Sequence, residues 1–236
     1  MKVIYINCAH RDDRRAHMEG LLSSLNLDYR RFEAVQINVD SVSNNSLEWH
    51  PLSEYFPENL YDKLSPPFKS RLAAVTDEVH DSHRARICGE IGCYLSHYCI
   101  HKQMLGNTEP YLVLEDDINF GQGTLVELKR LANDAACSDW DMLRQLWFSH
   151  KLPAGGVGKI TEHYSNDWNG NGLFGGSHFT LVKSAKTLTD YFDSRQAFEL
   201  DAMYSTHLMN VYHASMGVEM LIRLAEHTDI PNTTNV

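Results

Sequence analysis

The chain has 236 residues and a mass of 27.0 kDa, with 21 Lys plus Arg against 31 Asp plus Glu and a formal net charge of −10. Apolar residues at 43% and charged residues at 22% give an ordinary globular composition, which argues against a disordered or fibrous chain. The acid excess argues against a partner nucleic acid, whose phosphates call for clustered Lys and Arg, and no apolar run reaches the roughly 18 residues that span a bilayer.

The length suits a single domain over 1–236. The opening MKVIYINCAHRDDRR does not read as a secretory leader, because its apolar stretch is only Val3–Ile6 and the arginines follow it. Five sparse cysteines (Cys8, Cys88, Cys93, Cys99, Cys137) fit a reducing compartment better than a disulfide framework. The expected location is therefore cytoplasmic.

Lys2–Asn7 (KVIYIN) predicts a first strand. Ala16, Met18, Leu21, Leu22 and Leu25 then recur at helical spacing, with Asn26 as the stop, and Tyr29–Val35 predicts a second strand. Strand, helix, strand is a βαβ opening and implies a parallel sheet covered by helices. Residues 36–86, with Pro51, Pro57, Pro66 and Pro67, read as a long irregular insertion. Gly89–Leu105 is the clearest helix, with Ile91, Leu95, Tyr98, Cys99 and Leu105 on one face and Glu90, Cys93, His97 and His101 on a separate stripe. Tyr111–Leu114 predicts a buried strand and Leu125–Leu131 a modest helix, while Met142–Phe148 suits either strand or helix. Residues 149–176, rich in Gly, Asn and His, read as a loop. His178–Val182 predicts a strand, Ser184–Phe192 and Ala197–Tyr212 helices, and Val218–Leu224 a last strand.

The strongest chemical signal is YLVLEDDI over 111–118, where a buried strand ends in Glu115, Asp116 and Asp117. Open α/β sheets bind ligands at that edge, and three adjacent carboxylates are expected to stay out of the core. Strand alternation sends Glu115 and Asp117 one way and Asp116 the other, so the first and third could share a hard cation such as Mg²⁺ or Mn²⁺. A solvent-facing acidic turn explains the same triplet. Arg11 and Arg14 follow the first strand and could hold a diphosphate at the same edge, or belong to a solvated helix start with Asp12 and Asp13. The Glu90, His97, His101 stripe with Cys93 lacks the usual zinc spacings; it suits a polar pocket wall, or buried, hydrogen-bonded histidines. Gly170–Gly175 matches G-x-G-x-x-G but precedes a strand, and AGGVGKI over 154–160 lacks the first Gly and the Ser or Thr of a phosphate loop. Asp201, flanked by apolar residues in FELDAMY, reads as a helix cap or a catalytic carboxylate.

Taken together, GEIGCYLSH (89–97), YLVLEDDI (111–118), the opening strand followed by Arg11-x-x-Arg14, SDWDML (138–143), and HFTLVKSAKTL (178–188) followed by FELDAMY (198–204) resemble glycosyltransferase family 25. That family comprises bacterial lipopolysaccharide and lipooligosaccharide glycosyltransferases and relatives among the collagen galactosyltransferases. The resemblance implies a GT-A-like, Rossmann-type α/β fold, with a mostly parallel sheet flanked by helices. It implies inverting transfer of a hexose, galactose or glucose, from a UDP-sugar to a hydroxyl of a glycan or lipid-linked glycan acceptor. The acidic triplet would take the family's D-x-D role with Mn²⁺ or Mg²⁺, held by Asp117 and Glu115 and completed by a late histidine, His227 or His213. Arg11, Arg14, Glu90, His97 and Asp116 would line the donor site, and Asp201 would rise from cap to candidate base. Loop 153–176 and the 36–86 insertion would close over the substrates. Peripheral association with the inner face of a membrane would follow from a lipid-linked acceptor. A catalytically silent nucleotide- or carbohydrate-binding module is the competing reading. A glycoside hydrolase fits less well, since three consecutive acids suit a metal better than two groups flanking a sugar.

Overall fold

The computed structural model describes residues 1–37, 65–66, 69–70, 81–133, 139–145, 157–159, 179–195, 200–204, 208–214 and 221–223. Strands β1 (Lys2–Asn7) and β2 (Tyr29–Glu33) flank helix α1 (Asp12–Ser24) in sequence. Helix α2 (Asp81–Gln103) leads to β3 (Tyr111–Glu115) and β4 (Ile118–Phe120), and α3 (Gln122–Ala132) to β5 (Met142–Gln145). Next come β6 (Val157–Lys159), β7 (Phe179–Val182), α4 (Ala185–Asp193), α5 (Leu200–Tyr204), β8 (Val211–Ala214) and β9 (Leu221–Arg223).

The main sheet has seven strands in the order β2-β1-β3-β7-β5-β8-β6. β1 pairs in parallel with β2 and β3, and β5 in parallel with β8, while β7 and β6 run antiparallel to their neighbours. Five strands therefore share one direction, and the expected α/β architecture with a mostly parallel sheet flanked by helices is present. β4 and β9 form a separate antiparallel pair.

Side-chain alternation divides the core into two layers. Ile4, Ile6, Tyr111, Val113, Val182 and Val211 meet α2 and α4 through Ile91, Leu95, Leu188 and Phe192. Val3, Tyr5, Leu112, Leu114, Leu181 and Tyr212 meet α1 and α3 through Met18, Leu22, Leu125 and Leu128. α1 buries Arg14, Met18 and Leu22, a strict i, i+4, i+8 row. It closes at Asn26, whose φ of 52° is the left-handed conformation that asparagine tolerates.

Several elements differ from expectation. The clear helix begins at Asp81, not Gly89, so it takes its first two turns from the segment read as an insertion, and Leu105 lies exposed beyond its end. The Glu90, Cys93, His97, His101 stripe, by contrast, follows one of its two expected readings: His97 and His101 are buried and hydrogen-bonded, beside Leu95 and Cys99. A helix covered by a sheet on one side and by two helices on others buries nearly its whole girth. Ala197–Tyr212 is not one helix. α5 ends at Tyr204, and Val211 begins β8, where β-branched and aromatic residues pair with β5 and β6 on both sides. The described part of Met142–Phe148 is strand, and part of the segment read as loop forms edge strand β6. Residues 170–175 lie outside the described residues.

Gly92 marks where α2 comes closest to the rest of the fold. A Cβ there would run into the Val35 carbonyl oxygen. Ser96 Oγ donates to Gly92 O at 2.7 Å and accepts from Val35 N–H at 2.9 Å, so one turn of α2 is stitched to the chain leaving β2. Gly92→Ala is expected to cost about 1–3 kcal/mol, since backbone must move to admit the methyl. Thermal denaturation would show this as a lowered midpoint, whereas an unchanged midpoint would mean that the contact relaxes without cost.

Candidate active site

The carboxyl ends of β1 and β3 lie side by side, with Ile6 opposite Glu115 in register. β1 delivers Asn7 to this rim and β3 delivers the acids. Asn7 is buried and joins three segments: its Nδ2 donates to Arg11 O at 3.1 Å and to Asp116 Oδ2 at 2.6 Å, and its Oδ1 accepts from Arg31 Nε at 2.9 Å. An amide at the end of an apolar strand, able to donate and accept at once, is the only sequence trace of this junction.

Glu115 and Asp116 turn to opposite faces. Asp116 turns to the α1 layer, where Arg14 Nη1 donates to its Oδ1 at 2.9 Å. The two side chains are only 7% and 9% exposed. Burial pushes the Asp116 carboxyl above its usual range, outweighing the opposing pull of the Asn7 and Arg14 hydrogen bonds. The expectation that none of these acids would be a core residue fails for Asp116 and also for Asp117, which is buried. The cost of desolvating Asp116 is offset in part by an amide and a guanidinium brought from β1 and α1. The acidic turn is further tied to α1 by His17, whose Nε2 donates to the Ile118 carbonyl at 2.9 Å.

Glu115 faces the other layer, 28% exposed, with its Oε1 3.9 Å from His97 Nε2. Ligand atoms of Cys93, His97 and Glu115 lie within 4.8 Å of one another, which is the one such trio among the described residues. Behind His97 runs a buried polar file. His97 Nδ1 meets the Tyr204 hydroxyl at 3.1 Å, that hydroxyl meets His101 Nε2 at 2.7 Å, and His101 Nδ1 meets the Tyr111 hydroxyl at 2.7 Å. Burial holds His101 well below the ordinary histidine range and Tyr204 and Tyr111 well above the ordinary tyrosine range, so all three are neutral. The Arg144 guanidinium stands 5.0 Å from the Tyr204 ring centre.

The other expected site residues scatter around this rim. Arg14 is consumed by Asp116 and is not presented to a ligand, so the arginine pair expected to grip a diphosphate is reduced to Arg11. Arg11 is itself paired with exposed Asp13 at 2.8 Å. Glu90 is paired with Arg86 at 2.9 Å. Asp201 belongs to the short helix α5, three positions before Tyr204. His213 lies on β8 in register with Arg144, and His227 lies outside the described residues. The acids of SDWDML have structural partners: Asp139 accepts from Tyr212 Oη at 2.6 Å and Asp141 from Asn210 N–H at 2.9 Å. Sequence reasoning missed Asn7, Tyr111 and Tyr204, because a tyrosine in an apolar run looks like plain core until its hydroxyl finds a partner.

Comparison with known proteins places these features in a wider set. The family model described as glycosyltransferase family 25 (LPS biosynthesis protein) matches residues 1–170. Procollagen galactosyltransferase 1-A of Xenopus laevis is 34% identical over 145 residues, which cover 60% of this chain and 20% of that protein. The human protein named inactive glycosyltransferase 25 family member 3 is 26% identical over 148 residues, 60% of this chain and 21% of its own length. The chain thus corresponds to about a fifth of these relatives. A solved glycosyltransferase involved in the glycosylation of the major capsid of PBCV-1 aligns with a TM-score of 0.46 and 7% identity, covering 97% of this chain and 94% of that one.

Proposed function

Because the chain belongs to glycosyltransferase family 25, we propose that it is an inverting transferase moving a hexose, galactose or glucose, from a UDP-sugar to a hydroxyl of a lipopolysaccharide, lipooligosaccharide or other glycan acceptor. The observation that carries the reading is the division of labour within the acidic triplet at the carboxyl rim of β1 and β3. Asp116 is spent on Asn7 and Arg14, while Glu115 emerges on the opposite face, partly exposed.

A hard divalent ion fits carboxylate oxygens better than thiol or imidazole, so Glu115 and Asp117 would hold Mn²⁺ or Mg²⁺. When bound, the ion supplies positive charge against the charge that develops on the departing UDP. The chain's own groups do the rest. Arg11 stands at the start of α1 on the same rim and adds a second positive contact. A carboxylate, with Asp201 the candidate, takes the proton of the acceptor hydroxyl, a contribution of typically ~10² to 10⁴ in rate. The reacting sugar passes through an oxocarbenium-like state, so water must be kept out. A lipid-linked acceptor would bring the enzyme to the cytoplasmic face of a membrane.

A second reading has one observation in its favour: a matched human relative carries the name inactive. Titration calorimetry with UDP separates the two. UDP binding strengthened at least about tenfold by Mn²⁺, together with slow Mn²⁺-dependent hydrolysis of one sugar in a UDP-sugar panel, is the expected result. Sugar binding with no response to UDP or metal would identify a silent carbohydrate module instead.

A further inference from the structure

We infer that Tyr111, His101, Tyr204 and His97 form a proton-ordered chain that fixes His97 as its neutral Nε2–H form and aims that N–H at Glu115. Tyr111 and Tyr204 thereby act as positioning residues for the rim carboxylate. The inference rests on the reading of Glu115 as part of the donor site only for its consequence; the ordering itself follows from hydrogen-bond arithmetic.

The arithmetic starts at the far end. The Tyr111 hydroxyl is fully buried, and its partner among the described residues is His101 Nδ1, at 2.7 Å. If the hydroxyl accepted from His101, its own proton would lie buried with nothing among the described residues to receive it, a penalty of about 1–3 kcal/mol. Tyr111 must therefore donate, which leaves His101 Nδ1 bare. A neutral imidazole carries one N–H, so it sits on His101 Nε2 and donates to the Tyr204 oxygen at 2.7 Å. Tyr204 then spends its only proton on His97 Nδ1 at 3.1 Å. His97 Nδ1 can hold no proton of its own, so the ring is neutral with its hydrogen on Nε2. That nitrogen faces Glu115 Oε1 across 3.9 Å, too long for a hydrogen bond but favourable in sign. Reversing the file would strand the Tyr111 proton at one end and turn a lone pair toward a carboxylate at the other. Both ends select the same direction.

The ordering also decides what the Cys93, His97, Glu115 trio can do. A thiolate, an imidazole and a carboxylate within 4.8 Å would suit a soft ion. Coordination needs a lone pair on His97 Nε2, and the file puts a proton there. In that state His97 offers Glu115 an N–H and offers a soft ion no lone pair, so such an ion would have to displace that proton and reverse the file to bind there.

The test is long-range ¹H–¹⁵N correlation on histidine-labelled protein, in which the two neutral forms give distinct nitrogen shifts. In the wild type, His97 and His101 should both appear protonated at Nε2 alone. Tyr204→Phe keeps the ring but cuts the file, so His97 should relax to a mixture of Nδ1–H and Nε2–H forms. The same variant should raise the Mn²⁺ concentration for half-maximal UDP-sugar hydrolysis about tenfold, the usual cost of losing an outer partner of a ligand. Nδ1–H on either histidine in the wild type, or a His97 signature indifferent to Tyr204→Phe, overturns the inference, and the wild-type spectrum judges it even if the variant does not fold. Ordered histidines in a protein that hydrolyses no UDP-sugar support the file and overturn the donor-site reading.

Discussion

Asp117→Asn is expected to lower Mn²⁺-dependent hydrolysis of the preferred UDP-sugar by about 10²- to 10³-fold, the usual loss when one preorganised charge contact to a transition state is removed. The change is nearly isosteric. It deletes a charge at the end of β3 and leaves the hydrogen-bonding size of the side chain, so the fold and the thermal midpoint should move little. Asp117 is the informative position because it is buried in the turn that follows β3, next to an acid whose task is already explained. Glu115→Gln should fall in the same direction. Both variants need circular dichroism beside the kinetics, so that lost turnover is not confused with lost structure. Wild-type hydrolysis by Asp117→Asn at saturating Mn²⁺ would remove the metal assignment.

The second large effect concerns stability. Asp116→Ala should destabilise the protein by about 3–5 kcal/mol, the cost of leaving a buried guanidinium with its counter-charge removed. Arg14 and Asp116 bridge 102 positions of sequence, from the first turn of α1 to the end of β3. The pair is therefore a tie between distant segments and not a surface decoration of the kind that contributes little. Its burial means that attraction and desolvation nearly offset. Replacing both partners, as in Arg14→Met with Asp116→Leu, should recover most of the loss, because two matched apolar groups need no counter-charge. Guanidinium unfolding with an unchanged slope measures this as a shift of midpoint. A loss under about 1 kcal/mol for Asp116→Ala would show that solvent reaches the pair after all.

The amino-acid pattern disclosed the frame of the fold. KVIYIN and YLVLE are short continuous apolar runs that become strands buried on both faces, and the Met18–Leu22 spacing carries the helical period that tertiary contacts then respect. It failed where a short element depends on partners far along the chain. Val211–Ala214 is strand because β5 and β6 receive it on either side, and one β-branched and one aromatic residue in four are too short a signal to announce it. The site was legible as a place and partly illegible as an arrangement. Strand alternation sorted Glu115 from Asp116, yet the triplet alone could not reveal that Arg14 and Asn7 would bury the middle acid. The His97 and His101 stripe was visible at helical spacing. Its meaning was not, because the two tyrosines that link the rings come from β3 and α5, 10 and 103 positions away from His101.

β7 runs against its neighbours and begins opposite Leu114, one residue short of Glu115. The polypeptide therefore enters that strand from the same edge where the acids emerge, and it leaves at the far edge into α4. Had β7 been parallel, the preceding segment would have arrived at the opposite edge, far from any chemistry. The first position of β7 thus lies one step from Glu115, so a change at position 179 bears on this edge while the rest of the pairing is retained. The scaffold can therefore vary at this edge without renegotiating its strand order.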